Sequence, residues 1–340
     1  MGQDRKSRSV AWYRTPIDLK TLKSLHPCSD GWGLLQSAGY LGTLIVTGTT
    51  AFYSAGHWAV WVTIPLIFLH GMCFAFQINA VHELGHNTVF KTKFLNALFV
   101  RIFAFLGWIN FEMFNTSHIR HHRYTLHPPD DLEVVLPIRM MVKHFFKQGF
   151  VNPMGAWSTL KETIRIARGK LRGEWELTLF PESDPENRRP PIHWARTVLA
   201  GHGLILAVSI GFQWWLLPIL TTFAPFYGGW LFFLCNNTQH IGLQDKVPDF
   251  RLCCRTFTLN PFVRFLYWHM NYHTEHHMYA AVPCYRLARL HELIRHDLPP
   301  CPNGLIATWK EIAAIQKMQE ENPKYQHAAP LPACPVSGPA

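Results

Sequence analysis

The sequence predicts an all-α integral membrane protein with four transmembrane helices arranged as two hairpins. The first observation is a set of long apolar runs, each close to the ~20 residues that a helix needs to cross a bilayer. The second is that only 16% of the residues are charged, whereas soluble domains have roughly 25%. The third is a set of histidines with helical spacing near the ends of these runs. Together they predict a cytosolic helical cap that carries a histidine-rich site for two metal ions.

Four apolar segments account for the predicted spans, and short turns join them in pairs. A turn from Ser54 to His57 separates the first two, and Pro218 separates the last two. The spans are predicted at residues 33–54, 57–80, 196–217 and 218–236. Around them we predict a cytosolic lead-in (1–30), a single membrane domain (31–320) with a cytosolic loop (82–193) and a cytosolic C-terminal part (240–320), and a disordered tail (321–340).

The positions of Lys and Arg orient these spans. The formal net charge is +10, which could indicate nucleic-acid binding, but the cations avoid the apolar segments. None lies between Gly31 and Phe90, and only Arg196 lies between Pro190 and Asp245. Cytosolic segments of membrane proteins are enriched in Lys and Arg, so the N-terminus, the loop and the C-terminal part are predicted in the cytosol. The predicted partner is therefore a membrane, with no nucleic acid.

The stretch from Phe94 to Phe114 is apolar but is not predicted to cross the membrane. A single crossing would place the histidines before it and after it on opposite sides of the bilayer. Arg101 in its middle would also cost roughly 2.5–3.5 kcal/mol at the bilayer centre. We therefore predict an interfacial or re-entrant helix here, and a second interfacial stretch from Phe257 to Trp268.

Nine histidines form the most informative pattern of the chain. They lie in the blocks HELGH, HIRHH, NNTQH and HTEHH. Residues three and four apart share one face of a helix, so each H-x-x-H-H block aims three imidazoles at one point. Neutral imidazole is a common ligand of zinc, iron and copper. The predicted metal ligands are His82, His86, His118, His121, His122, His240, His273, His276 and His277. Because nine imidazoles exceed what one ion binds, two ions are the simplest interpretation.

The chemistry of such a site depends on the metal that it holds. Zinc is satisfied by three or four ligands and would favour hydrolysis. Two ions with open coordination positions suit iron and dioxygen, which can remove hydrogen from an unactivated C–H bond. Affinity cannot decide, because the affinity order favours copper and zinc over iron. The number of ligands favours a pair of irons.

The chain resembles the membrane fatty acid desaturase superfamily, a three-histidine-block group that includes hydroxylases and carotenoid ketolases. HELGHNTVF, HIRHHRYTLHPPDD and WHMNYHTEHHMYAAVP carry the resemblance, which covers residues 30 to 300. It implies two iron ions bound by the nine histidines, with dioxygen as co-substrate. The reaction expected from the resemblance is desaturation of an aliphatic chain in a fatty acyl or lipid-like substrate. A hydroxylase or ketolase on the same scaffold is the alternative, and a zinc-dependent membrane hydrolase is a remote one.

The resemblance also implies partners and a location. Electrons would come from a separate cytochrome b5-type protein, or from a ferredoxin with its reductase, because the HPGG motif of the family's fused cytochrome domain is absent. The protein would be multi-pass, with its active site on the cytosolic face. The expected membrane is the endoplasmic reticulum in a eukaryote and the inner membrane in a bacterium.

Four polar residues near the blocks are candidates for a supporting role. Asn236 matches a family position that can hold a water-linked asparagine. His269 stands where relatives often have asparagine, so it could be a further ligand, a donor to a ligand or an interfacial residue. Glu83 and Glu275 lie inside blocks and could orient ligand imidazoles, or they could remain solvated.

The remaining polar residues near the blocks are assigned ordinary roles. Asp130 and Asp131 could orient imidazoles or cap a helix, and capping is the preferred interpretation. Cys253 and Cys254 are interpreted as reduced structural thiols. His202 lacks the spacing of the blocks and is expected to have no part in the metal site.

Overall fold

The described chain consists of α-helices and short 3-10 helices. The computed structural model describes residues 9–333, so residues 1–8 of the predicted lead-in and residues 334–340 of the predicted tail lie outside it. No strand occurs between residues 9 and 333, which confirms the all-α class. In the first half the helices are α1 Leu19–Leu25, α2 Asp30–His57, α3 Val60–Phe74, α4 Gln77–Gly85, α5 Lys93–Leu106, α6 Phe111–Tyr124, α7 Val142–Gly149, α8 Pro153–Ala167 and α9 Gly173–Leu179.

The second half begins with one long helix and continues with shorter ones. Its α-helices are α10 Pro185–Gly211, α11 Leu216–Leu220, α12 Trp230–Asn236, α13 Phe250–Cys253, α14 Pro261–Leu266, α15 His273–Met278, α16 Leu287–Ile294 and α17 Gly304–Glu321. Short 3-10 helices lie at Ala224–Phe226, Cys284–Arg286 and Arg295–Asp297. Beyond α17, the Gln326 side chain binds Asp245 at 2.6 Å and the His327 N–H binds the Gly242 carbonyl at 2.8 Å, so this part of the tail lies against the protein.

Two helical stretches of the described chain are long and apolar enough to cross a membrane: Val60–Gly85, which is α3 with α4, and Pro185–Gly211, which is α10. They correspond to the second and third predicted spans. The first predicted span lies within the 28-residue α2, whose Gly, Ser and Thr residues dilute its apolar side chains, and it does not reach the same hydropathy. The turn that follows is at Trp58 and Ala59, later than predicted. These two stretches indicate a membrane protein, but the predicted number of four spans is not confirmed.

The predicted fourth span, 218–236, is not one continuous helix. It is divided among α11, the 3-10 helix Ala224–Phe226 and α12. Pro225 has no N–H to donate to a helix, and Gly228 has a positive φ of 70°. A Cβ at Gly228 would lie 2.6 Å from the Phe68 carbonyl oxygen, so only glycine permits this close approach to α3.

The stretch predicted as interfacial or re-entrant is a bent pair of helices. α5 and α6 are bent by 109° at a break that includes Trp108, whose φ is +57°. The pair counts either as one broken span or as a re-entrant loop. The segments before and after this bend lie next to each other, because the ring centroids of His82, before α5, and His118, on α6, are 4.2 Å apart. This path agrees with the parity argument made from the sequence.

His202 holds the break in α5–α6 against α10. Its ring stacks between Phe105 and Trp108, with centroid distances of 4.6 and 4.1 Å, and its nitrogens bind the Phe105 carbonyl and the Thr222 hydroxyl at 3.0 and 3.1 Å. His202→Ala should therefore lower the free energy of unfolding by about 2–5 kcal/mol, as large-to-Ala core substitutions do. Thermal unfolding would measure this, with exposed His193→Ala as the control. Loss of bound metal from a folded His202→Ala protein would contradict its assignment outside the metal site.

Candidate metal centre

Four separate parts of the fold deliver the predicted ligands. His82 lies near the end of α4, and His86 follows that helix directly. The second block lies on α6, whose first turn is capped by the Asn110 side chain, and the fourth block forms α15. His240 lies in the loop after α12. Residues four apart share a group, His118 with His122 and His273 with His277, whereas His121 and His276 lie elsewhere. Neither H-x-x-H-H block therefore aims all three imidazoles at one point, although the spacing predicts that it does.

The first group of ligand atoms comes from five histidines. Their ligand nitrogens all lie within 4.8 Å of one another. The group is His82, His86, His118, His122 and His276. The Nε2 atom of His122 is 2.9 Å from Nε2 of His118 and 3.1 Å from Nε2 of His276. At a metal–nitrogen distance of about 2.1 Å, two nitrogens at right angles around one ion are about 3 Å apart. These rings are therefore spaced as ligands of one ion would be.

A second group lies beside the first and contains one residue that was not predicted. Its members are His240, Cys254, His273 and His277, whose ligand atoms also lie within 4.8 Å of one another. Nε2 of His240 is 3.0 Å from Nε2 of His273. The sequence predicts Cys254 as a reduced structural thiol, because it lies in a segment predicted to be cytosolic and the cysteines form no CxxC pair. The rings of His122 and His277 stack at 4.3 Å, which places the two groups side by side.

His121 is the one predicted ligand that belongs to neither group. Its ring centroid is 5.3 Å from that of His240 and 5.0 Å from that of His277, so it lies next to the second group. Its Nδ1 is 2.8 Å from Oδ2 of Asp131. Metal-binding histidines almost always donate their second ring N–H to a carboxylate, a carbonyl or a water. This pairing leaves Nε2 as the nitrogen available for a metal.

Buried nitrogens without partners indicate that the groups fit a metal ion. Within residues 9–333, Nε2 of His82, of His86 and of His277 is buried and has no hydrogen-bond partner. Leaving a buried polar atom unpaired costs about 1–3 kcal/mol, which bonds to a metal would offset. Burial lowers the pKa of His86 to about 4 and that of His240 to about 3. Both rings are therefore neutral at pH 7, the form in which imidazole binds metals.

Two glutamates, the buried Glu83 and the half-buried Glu133, orient rings of the first group. Oε1 of Glu83 is 3.0 Å from Nδ1 of His82 and 3.4 Å from Nδ1 of His276, so this residue contacts histidines of two blocks. Oε1 of Glu133 is 2.8 Å from Nδ1 of His118, and its Oε2 accepts a hydrogen bond from Ser117 at 2.5 Å. Glu133 was not predicted, because it lies fifteen residues beyond His118 in an irregular segment without a motif.

The two aspartates after the second block have different roles. Asp131 is fully buried and accepts hydrogen bonds from His121 and from the Leu126 N–H, each at 2.8 Å. Asp130 lies near the surface, 3.6 Å from Arg120. Burial acts to raise the pKa of Asp131, but the hydrogen bonds from His121 and from the Leu126 and Glu133 N–H groups hold the pKa below its ordinary value. Orientation of an imidazole, the less favoured sequence interpretation, is therefore the observed role of Asp131.

Among the other candidate supporting residues, Glu275 and His269 belong to neither group. Glu275 is buried but binds the Thr256 hydroxyl and Nδ1 of His291, so its carboxylate orients neither His273 nor its other neighbours in the block. Asn236 is the last residue of α12. His269 has a positive φ of 60° and lies beside Arg264, outside both groups.

Backbone and hydroxyl oxygens orient two rings of the second group. Nδ1 of His240 is 2.7 Å from the Cys253 carbonyl oxygen, and Nδ1 of His277 is 3.2 Å from the Thr125 hydroxyl. Burial, aided by neighbouring imidazoles, holds the pKa of His277 well below its usual range. The arrangement can therefore hold two adjacent metal ions in a buried, nitrogen-rich site.

Comparison with known proteins agrees with this geometry. None of the curated proteins compared with the chain is similar enough to be a match. The sequence profile of the Fatty acid desaturase family matches residues 56–307, a range that covers most of the chain and contains all nine predicted histidine ligands. The chain belongs to the fatty acid desaturase family.

Proposed function

We propose that the protein is a membrane-bound di-iron oxidoreductase that desaturates an aliphatic chain of a fatty acyl or lipid-like substrate. It would use dioxygen and electrons from outside the chain. The observation that carries the proposal is the pair of adjacent histidine groups in a member of this family. One group alone would suit a single ion, whereas two groups in ring contact suit a centre with two ions.

The donor set favours iron over zinc. Zinc sites are almost always completed by four ligands, and catalytic zinc usually has three protein ligands. Five imidazoles in the first group exceed that need. Two iron ions bound here would activate dioxygen and remove hydrogen from an unactivated C–H bond, which no side-chain base can do.

The residues of the chain contribute binding, orientation and exclusion of water. The five histidines of the first group would hold one ion, and His240, His273 and His277, together with His121 or Cys254, would hold the other. Glu83, which contacts rings from two blocks, would fix the position of α4 relative to α15. Because most of these side chains are buried, bulk water would be kept from the reacting carbon.

The proposal includes a location and an electron donor. The protein would cross the membrane several times, with its centre on the cytosolic face of the endoplasmic reticulum or of the bacterial inner membrane. A separate cytochrome b5-type protein, or a ferredoxin with its reductase, would supply electrons. The distribution of Lys and Arg supports this orientation.

Metal analysis and product analysis test the proposed function. We expect about two irons per purified chain, and removal of iron by a chelator should abolish oxygen- and reductant-dependent turnover that iron then restores. One zinc without iron, with activity that needs no oxygen, would instead identify a hydrolase. Under labelled dioxygen the double bond should form without label in the lipid product. Retained label would identify a hydroxylase or ketolase.

A further inference from the structure

A cavity lies away from the metal centre, between α8, α10 and the segment that replaces the predicted fourth span. Its volume is about 470 Å³, within the range of small-molecule sites. Trp108, Trp157, Leu160, Leu206 and Tyr227 form much of its wall. None of the residues that line it belongs to either histidine group. The cavity is therefore a separate site, and its lining is almost entirely apolar.

The inner wall of the cavity lies level with the middle of a candidate span. A Cβ at Gly71 would lie 2.4 Å from the Tyr227 ring, so the ring packs directly on the α3 backbone. Gly71 lies near the centre of Val60–Gly85. The Thr222 hydroxyl, a polar group in the wall, is bound to Nδ1 of His202. At hydrocarbon depth water is not available to fill such a space, so the suitable occupant is hydrocarbon.

The outer side of the cavity opens towards an exposed apolar face. Trp157 is 56% exposed although it lines the cavity, and Val151 and Phe223 are also exposed. The same face continues along α7 and the start of α8 through exposed Phe146 and Met154. Exposed aromatic and aliphatic side chains next to a membrane span are typical of contact with lipid. This face gives a chain from the bilayer a lateral route into the cavity.

A lysine lies where the head group of such a lipid would be. The Asn152 N–H binds the Phe226 carbonyl at 2.7 Å, so α8 starts at the depth of the cavity. Lys161 is about 12 Å further along α8, at 1.5 Å per residue, which is close to half the thickness of the hydrocarbon core. Its Nζ is 5.7 Å from the Trp157 ring. Among the described residues, Lys161 forms no ion pair, so a lipid phosphate could bind it.

We propose that this cavity holds one acyl chain of a bilayer phospholipid, whose phosphate binds Lys161. The acyl chain would enter laterally past Trp157 and Phe223, with its end beside Tyr227. The inference places the start of α8 in the bilayer, whereas the sequence predicts that the whole loop 82–193 is cytosolic. This lipid site depends on the membrane location given under the proposed function but not on the proposed reaction. An experiment can therefore contradict the lipid site without contradicting the reaction, or the reverse.

Photolabelling of the intact protein tests the proposal. The protein would be placed in nanodiscs of phosphatidylcholine and phosphatidylglycerol that contain a phospholipid with a diazirine near the end of one acyl chain. We expect adducts on Thr222 and Tyr227, which are only 2% and 8% exposed and which surrounding lipid does not reach. Leu206→Trp should fill the cavity and reduce these adducts at least fivefold. Leu204→Trp, on the same helix but 64% exposed, should leave them unchanged.

Further variants keep the result interpretable. Ala156→Leu narrows the cavity from α8 and should also reduce labelling, in case Leu206→Trp does not fold. Lys161→Gln should reduce labelling by the phospholipid probe, and thermal unfolding would report whether each variant keeps its fold. Equal adducts in Leu206→Trp and Leu204→Trp would overturn the site. Labelling by a free diazirine fatty acid but not by the phospholipid would overturn the proposed occupant.

Discussion

His276→Ala should remove at least one metal ion per chain and lower turnover by more than about 100-fold. Loss of a group that merely orients a ligand typically costs 10–100-fold in metal affinity or activity, and loss of a ligand should exceed this. His276 is fully buried at the contact between α15 and the first two blocks. Its ring centroid lies 4.6 Å from that of His82 and 4.8 Å from that of His86, and its Nε2 is 3.1 Å from that of His122.

The measurements for His276→Ala are iron content and product formation at equal protein concentration. His296→Ala is the matched control, because His296 is exposed and belongs to neither group. His276→Asn retains a polar side chain and separates loss of the ligand from loss of packing. A folded His276→Ala protein with unchanged iron and turnover would exclude this residue from the ligands and would contradict the proposed centre.

The local pattern of the sequence singles out most of the side chains that the structure brings together. The spacing within HIRHH and HTEHH is a property of one helix turn, so α6 and α15 present their imidazoles wherever the helices pack. The number of imidazoles also implied that distant blocks converge. The two groups show this convergence for eight of the nine predicted histidines, and His121 lies beside the second group.

The remaining contacts depend on tertiary packing that no local pattern specifies. Cys254 reaches the second group only because α13 packs against α15, and Glu133 reaches His118 from an irregular segment. The breaks in the predicted fourth span could be suspected from its prolines, but the close packing of Gly228 on α3 could not. His202 is a further example. Its spacing in the sequence indicates no special role, yet its side chain joins α10 to the break between α5 and α6.

Asp131→Asn should weaken metal binding about 10–100-fold through His121, although Asp131 itself is not a ligand. An ionised carboxylate only accepts hydrogen bonds, so Nδ1–H of His121 must be the donor and Nε2 remains for the metal. Oδ2 of Asp131 also accepts from Leu126 N–H, and Oδ1 accepts from Glu133 N–H at 2.9 Å. Asparagine has an NH2 group in place of one carboxylate oxygen. In one orientation this group would face the N–H groups of His121 and Leu126, and in the other it would face the N–H of Glu133.

The loss should also appear in stability, because hydrogen bonds to charged groups contribute about 1.5–3 kcal/mol. We expect a lower melting temperature in the metal-free protein and a weaker metal affinity in a competition titration with a chelator. Asp130→Asn is a close control, since the neighbouring carboxylate is part-exposed and, within residues 9–333, its one ion pair is with Arg120 at 3.6 Å. If both variants bind metal as tightly as the parent protein, His121 does not need Asp131 for its orientation. If Asp131→Asn alone loses affinity, a residue outside both groups controls the metal through the ring that it positions.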